Sequence, residues 1–130
     1  MQDIKKTIVN YKFTIVAVIL ILIAILMPAN DIPSVGIPGI DKVVHCGMFG
    51  FLTLCLYSEY YYEHKHMPKA LYAMGGIAVY AAATEVMQHF VEGRSCDFVD
   101  WLADATGIIL AVIVFHLAIK WFKNKKNSNK

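Results

Sequence analysis

Charge is scarce in this chain. Asp, Glu, Lys and Arg make up 17% of its 130 residues, against roughly 25% in an ordinary soluble domain. That deficit leaves too few polar side chains to wrap a soluble core at this length. Arginine occurs once, at Arg94, and the net charge is only +2. No Lys/Arg-rich run adjoins an aromatic platform, so nucleic acid drops out as a partner. Cysteine is sparse and odd in number. Cys46, Cys55 and Cys96 show no C-x-x-C spacing, which argues against a disulfide framework and a structural zinc site. Whether Cys46 and Cys96 pair is left open by the sequence. Neither an H-E-x-x-H pair nor a G-x-S-x-G elbow occurs, so no metal, no cofactor and no activated serine are expected.

What the chain has instead is apolar length. Hydrophobic residues form 58% of it and the mean hydropathy is +0.52. A bilayer core about 30 Å thick takes about 20 apolar residues of helix, and four stretches fit, at about 13–29, 42–62, 70–91 and 101–121. The first contains IVAVILILIAILMPA and ends at Pro28. Lys5, Lys6 and Lys12 before it would suit a signal peptide, but no A-x-A-like site follows and the run is long for one, so an uncleaved anchor is expected. Pro33, Gly36, Pro38 and Gly39 exclude a regular helix between the first two spans. The linker at 63–69, with Pro68, is short enough to make its flanking helices antiparallel neighbours. A basic tail at 122–130 is expected to fray. The reading is a single all-α domain over 1–130, an integral membrane bundle of four transmembrane helices.

Ten of the twelve lysines and arginines fall before span one, between spans two and three, or from the last turn of span four onward, which leaves only Lys42 and Arg94 for the other side. The positive-inside rule therefore places both termini in the cytoplasm. Tyr57, Tyr60, Tyr61 and Tyr62, with Trp101 and Trp121, suit aromatic interface belts. Glu59 among the tyrosines is expected to pair with a lysine. His64 and His66 fit a solvated loop, and His116 and Lys120 an interface.

In this orientation the costly residues gather at the outer side. Asp41 and His45 are spaced i, i+4; Glu85, Gln88, His89 and Glu92 follow i, i+3, i+4, i+7; Asp100, Asp104 and Gly107 follow i, i+4, i+7. Each set occupies one helix face. A carboxylate inside a span costs about 2.5 to 3.5 kcal/mol on insertion scales, so Glu85 and Asp104 should turn inward toward partners. Ala103, Gly107 and Ala111, and Gly75, Gly76, Ala78 and Ala82, offer small residues for close helix contact. A compact bundle with a polar pocket opening outward follows.

The string DKVVH from Asp41 to His45, then Glu85-x-x-Gln88, Arg94-x-x-Asp97-x-x-Asp100 and Gly107, resembles the VanZ-like family of small integral membrane proteins over about residues 30–115. The resemblance implies a helical multi-pass protein of the bacterial plasma membrane and cell envelope. It also implies a link to glycopeptide resistance of the teicoplanin type. The matching positions are Asp41, Lys42, His45, Glu85, Gln88, Arg94, Asp97, Asp100 and Gly107. Asp104 stands where the family usually has Asn, and Ala111 where Gly is frequent.

Three functional readings follow. The favoured one is binding of a polar ligand, a lipid headgroup or a lipid-linked envelope ligand by Asp41, Lys42, His45, Glu85, Gln88, Arg94, Asp97, Asp100 and Asp104, with membrane lipids as partners. Against it stands a purely structural hydrogen-bond network that fixes helix register. Catalysis on a lipid headgroup is less favoured; it would use His45 as base beside Asp41 and Glu85, and the carboxylates could hold a divalent cation. A proton-coupled transporter would need a homodimer to enclose a path. The sequence does not name the ligand.

Overall fold

A computed structural model describes residues 1–32 and 36–129. Pro33, one of the loop's helix breakers, and Lys130 of the basic tail lie outside the described residues. Helix α1 spans Gln2–Asn10 and α2 Lys12–Leu26, followed by a 3-10 turn at Ala29–Asp31. Helices α3 (Ile40–His64), α4 (Ala70–Gln88) and α5 (Phe98–Ser128) complete the fold. No strand occurs among the described residues.

Three helices, α3, α4 and α5, are each long and apolar enough to cross a membrane. The fourth candidate is the pair α1 and α2, bent by 74° at the break between them. Helix α2 alone covers about 22 Å at 1.5 Å per residue. Its end is set by Pro28: the residue before a proline is pushed out of the helical region, and Met27 is extended at φ −72°, ψ 127°. Helix α1 lies ahead of the expected first span. Its Ile4 and Ile8, one turn apart, are exposed, and its lysines point elsewhere on the circumference.

The other helix ends depart from expectation for local reasons. Gly39 and Lys65, both left-handed, bracket α3, which begins two residues before 42 and ends two after 62. Helix α4 stops at Gln88 rather than at 91, so His89 and Glu92 leave the face that Glu85 and Gln88 share and are exposed. The tail does not fray within the described residues. Helix α5 continues through 122–128, because lysine is a good helix former and Lys125 and Lys126 in the last turn complement the helix dipole.

One stripe of each long helix is buried. The sets are Ala17, Ile21 and Ile25; His45, Phe49, Leu52, Thr53 and Tyr57; Ile77, Ala81, Thr84, Glu85 and Gln88; and Asp100, Asp104, Gly107, Ile108 and Ala111. All recur at the three-to-four residue spacing of a helix face. The opposite faces expose Ile19, Leu20, Ile23, Ile109, Leu110, Ile113 and Val114, as suits lipid contact.

The most extensive helix pair is α3 with α5, and its seam is backbone on backbone. A Cβ at Gly107 would overlap the carbonyl of Cys46, and one at Gly50 would come within 3.3 Å of the Gly107 carbonyl oxygen. Of the small residues expected on α4, Ala78 packs against the core, whereas the other three make no such contact. Gly75 and Gly76 face open space, and Ala82 is exposed.

Polar groups tie the remaining helices. Trp101, expected in an interface belt, is half-buried and donates from Nε1 to the Ala78 carbonyl at 3.1 Å. Tyr80 donates to the Val18 carbonyl at 2.9 Å. Glu59, expected to meet a lysine, instead caps α2. It accepts from the Phe13 amide at 2.8 Å, the Thr14 amide at 3.0 Å and the Thr14 hydroxyl at 2.7 Å. Those amides belong to the first turn of α2 and have no partner within the helix, so an anion there satisfies both hydrogen bonds and dipole.

At the other end of the bundle two loops are stitched together. The Ala29 amide donates to the Glu92 carbonyl at 3.2 Å. Gly93 has φ 73°, and a Cβ there would lie 2.9 Å from the Ala29 Cβ. Both backbone sign and contact demand glycine.

Candidate functional site

The polar residues of α3, α4 and α5 form two stacked layers at this loop-stitched end. The rim is organised by Lys42. Its ammonium reaches Asp100 at 2.6 Å, Asp41 at 3.0 Å and Asp97 at 3.3 Å. Asp97 is also the N-cap of α5 and accepts from the Val99 amide at 2.8 Å. That backbone bond, helped by the Lys42 ammonium, holds the Asp97 carboxyl below the usual carboxylate range.

Beneath the rim lies a covered triad. His45 from α3 bonds through Nδ1 to Oδ1 of Asp104 on α5 at 2.9 Å. Oε1 of Glu85 on α4 stands 3.6 Å from the same nitrogen. The other ring nitrogen, Nε2, looks toward Asp100 at 3.9 Å. His45, Glu85 and Asp104 expose 4%, 3% and 0% of their surface, so a ligand arriving from outside meets the Lys42 network first. Glu85 links the layers, because its Oε2 accepts from the Asp97 amide at 3.2 Å.

Two carboxylate oxygens in this buried layer, Glu85 Oε1 and Asp104 Oδ2, have no hydrogen-bond partner among the described residues. Buried polar atoms are nearly always satisfied, so two orphans in one triad are unmet polar capacity at this position. The three side chains can each offer one ligand atom within 4.8 Å of the others. Spacing along the chain could not have revealed this set, since it draws one residue from each of three helices.

The structure therefore brings Asp41, Lys42, His45, Glu85, Asp97, Asp100 and Asp104 into one connected network. Asp41 and His45 divide between the layers: Asp41 is exposed at the rim and His45 is buried. Gln88 is buried one turn beyond Glu85. Arg94 stands apart. It is half-buried in the loop between α4 and α5, its Nε is covered and unpartnered, and it forms no ion pair among the described residues. Asp97 and Asp100, which follow it at three-residue spacing, are taken by Lys42. All three cysteines are free thiols.

Several cavities lie at the far end. One of about 780 Å³ runs between α1 and the end of α3, lined in part by Lys6, Lys12, Phe13, Glu59 and Lys65. His64 and His66 pack around Tyr60 there, with His64 stacked on it at 4.2 Å.

The family model described as VanZ/LLP1 matches residues 2–119. No curated protein and no solved structure matches the chain.

Proposed function

This chain belongs to the VanZ/LLP1 family, and on that premise we propose that it sits in the bacterial plasma membrane with both termini in the cytoplasm, binds a polar or lipid-linked ligand through its two-layer polar end, and so reduces susceptibility to teicoplanin-type glycopeptides. The observation that carries the binding reading is unmet polar capacity at one end of the molecule. Among the described residues Arg94 forms no ion pair and its Nε is unpartnered, and Glu85 Oε1 and Asp104 Oδ2 have no donors. A network serving only as glue between helices would satisfy its own members, because each unsatisfied buried group costs about 1 to 3 kcal/mol. The lysine and arginine distribution supports placing this end outward.

The chemistry favours a zwitterionic headgroup. The guanidinium of Arg94 can fork onto a phosphate oxygen pair, while the acid excess around Lys42 attracts an ammonium. The test is lipid mass spectrometry on protein purified in mild detergent, with glycopeptide susceptibility measured on cells expressing it. A headgroup class enriched with wild type and lost with Arg94→Ala is the expected result. A lipid profile identical to that of an unrelated helical membrane protein, with unchanged susceptibility, would overturn the reading. Alkaline phosphatase activity in a fusion at the C-terminal tail would overturn the orientation.

The hydrogen bond between His45 and Asp104 favours one second reading, catalysis on such a headgroup with His45 as general base. Release of a headgroup product by purified protein, lost with His45→Ala, would select it.

A further inference from the structure

We propose that His45, Glu85 and Asp104 bind one divalent transition-metal ion, coordinated by an imidazole nitrogen and two carboxylate oxygens inside the bundle. The inference goes beyond the headgroup reading and does not depend on it.

Charge balance is the first argument. Two carboxylates lie within reach of a single imidazole, all three side chains more than nine-tenths buried, and the nearest ammonium, on Lys42, is committed to Asp41, Asp97 and Asp100. An imidazolium answers one negative charge and leaves the other unanswered. A divalent cation beside a neutral imidazole answers both.

Geometry is the second argument. In a tetrahedral site with metal bonds of about 2.0 to 2.2 Å, neighbouring ligand atoms stand roughly 3.3 to 3.6 Å apart. His45 Nδ1 is already 2.9 Å from Asp104 Oδ1 and 3.6 Å from Glu85 Oε1. The orphaned Glu85 Oε1 is thus aimed at the nitrogen that Asp104 also approaches. Coordination would engage this oxygen, which has no donor among the described residues. Two carboxylates and one imidazole suit Zn²⁺, Mn²⁺ or Fe²⁺. Three protein ligands leave a position open for water or an incoming oxygen. Asp100 stands 3.9 Å from the other ring nitrogen, beyond hydrogen-bond range; with the metal bound at Nδ1 and the ring proton moved to Nε2, this carboxylate would close on Nε2–H and hold that tautomer.

The alternative way to neutralise the triad is a proton shared between the carboxyls, and the two differ in what a chelator does. Full-length protein in nanodiscs, stripped with chelator and desalted after exposure to Zn²⁺, Mn²⁺ or Fe²⁺, should retain about one equivalent of ion by elemental mass spectrometry. Its thermal midpoint should rise on loading and fall on stripping. Co²⁺ should give visible d–d bands. Glu85→Gln and Asp104→Asn should each abolish retention and the metal-dependent shift in midpoint. Asp100→Asn should weaken affinity by about 10- to 100-fold. A double variant His64→Gln, His66→Gln should bind as wild type does. Wild type that retains no ion and shows the same midpoint with and without chelator overturns the proposal, whether or not the variants fold. So does retention undiminished in Glu85→Gln and Asp104→Asn together.

Discussion

Two carboxylates at opposite ends of the same bundle differ in how completely their oxygens are hydrogen-bonded. Glu59 has three donors for its two oxygens, drawn from the first turn of α2. It is glue, and it is complete. Glu85 has one donor, the Asp97 amide, and a second oxygen with none. Asp104, with no exposed surface, repeats the pattern: one oxygen on His45 and one orphaned. Charge alone does not separate the two: Glu59 is half-buried with both oxygens engaged, whereas Glu85 and Asp104 are buried with one oxygen each left over. A carboxylate kept incomplete inside a membrane protein lowers stability, and the binding role proposed above would account for its presence.

The comparison breaks first at the seam both ends share. Gly107→Leu should be the most damaging single change, costing at least about 3 kcal/mol, because the added side chain meets the Cys46 backbone rather than a movable side chain. Thermal unfolding in detergent should show it, and both ends should fail together. Unchanged stability would mean that α3 and α5 do not meet along Gly50 and Gly107.

Glu59→Gln isolates the glue. The amide keeps one acceptor oxygen and turns donors toward the α2 amides, leaving at least one N–H unsatisfied. The expected cost is about 1 to 3 kcal/mol. Lipid enrichment and metal retention should be untouched. If Glu59→Gln changed ligand binding while leaving stability intact, the assignment of roles to the two ends would be reversed.

Asp104→Asn sharpens the contrast from the other side. It is nearly isosteric and removes a buried charge. Stability without metal should change by less than about 1 kcal/mol, or rise, since neutralising an uncompensated buried charge is favourable. Metal retention should be lost. A large destabilisation in metal-free protein would instead make Asp104 structural, like Glu59.

How much of this was legible in the sequence follows from the range of each signal. The apolar runs set the positions of α3, α4 and α5 to within a few residues, except where a tail of lysines continued as helix. The inward turn of Glu85 and Asp104 followed from the cost of charge in lipid. Period and spacing describe one helix at a time, however. They gave no access to the partner of Glu59, which lies forty-five residues away on α2, nor to a triad assembled from three helices. They also misjudged Gly75 and Gly76, because a small residue marks a possible contact and only the packing decides whether a helix comes to it. The 74° bend at Tyr11 left no signal in an apolar run that starts at Phe13.

The smallest stability effect, and the most informative per residue, should come from Arg94→Lys. If Arg94 served to staple the rim, the structure would pair it with Asp97 or Asp100, and those carboxylates are held by Lys42 instead. Lysine keeps the charge and loses the planar fork that grips two oxygens at once. Since no ion pair is broken, stability should shift by no more than about 0.5 kcal/mol. Headgroup enrichment and the reduction in glycopeptide susceptibility should fall nonetheless, because a point ammonium cannot replace a bidentate contact. Expression level, thermal midpoint and susceptibility measured side by side decide it. A stable Arg94→Lys protein with full lipid enrichment and full protection would remove Arg94 from the ligand site and leave the rim acids and the triad to carry recognition alone.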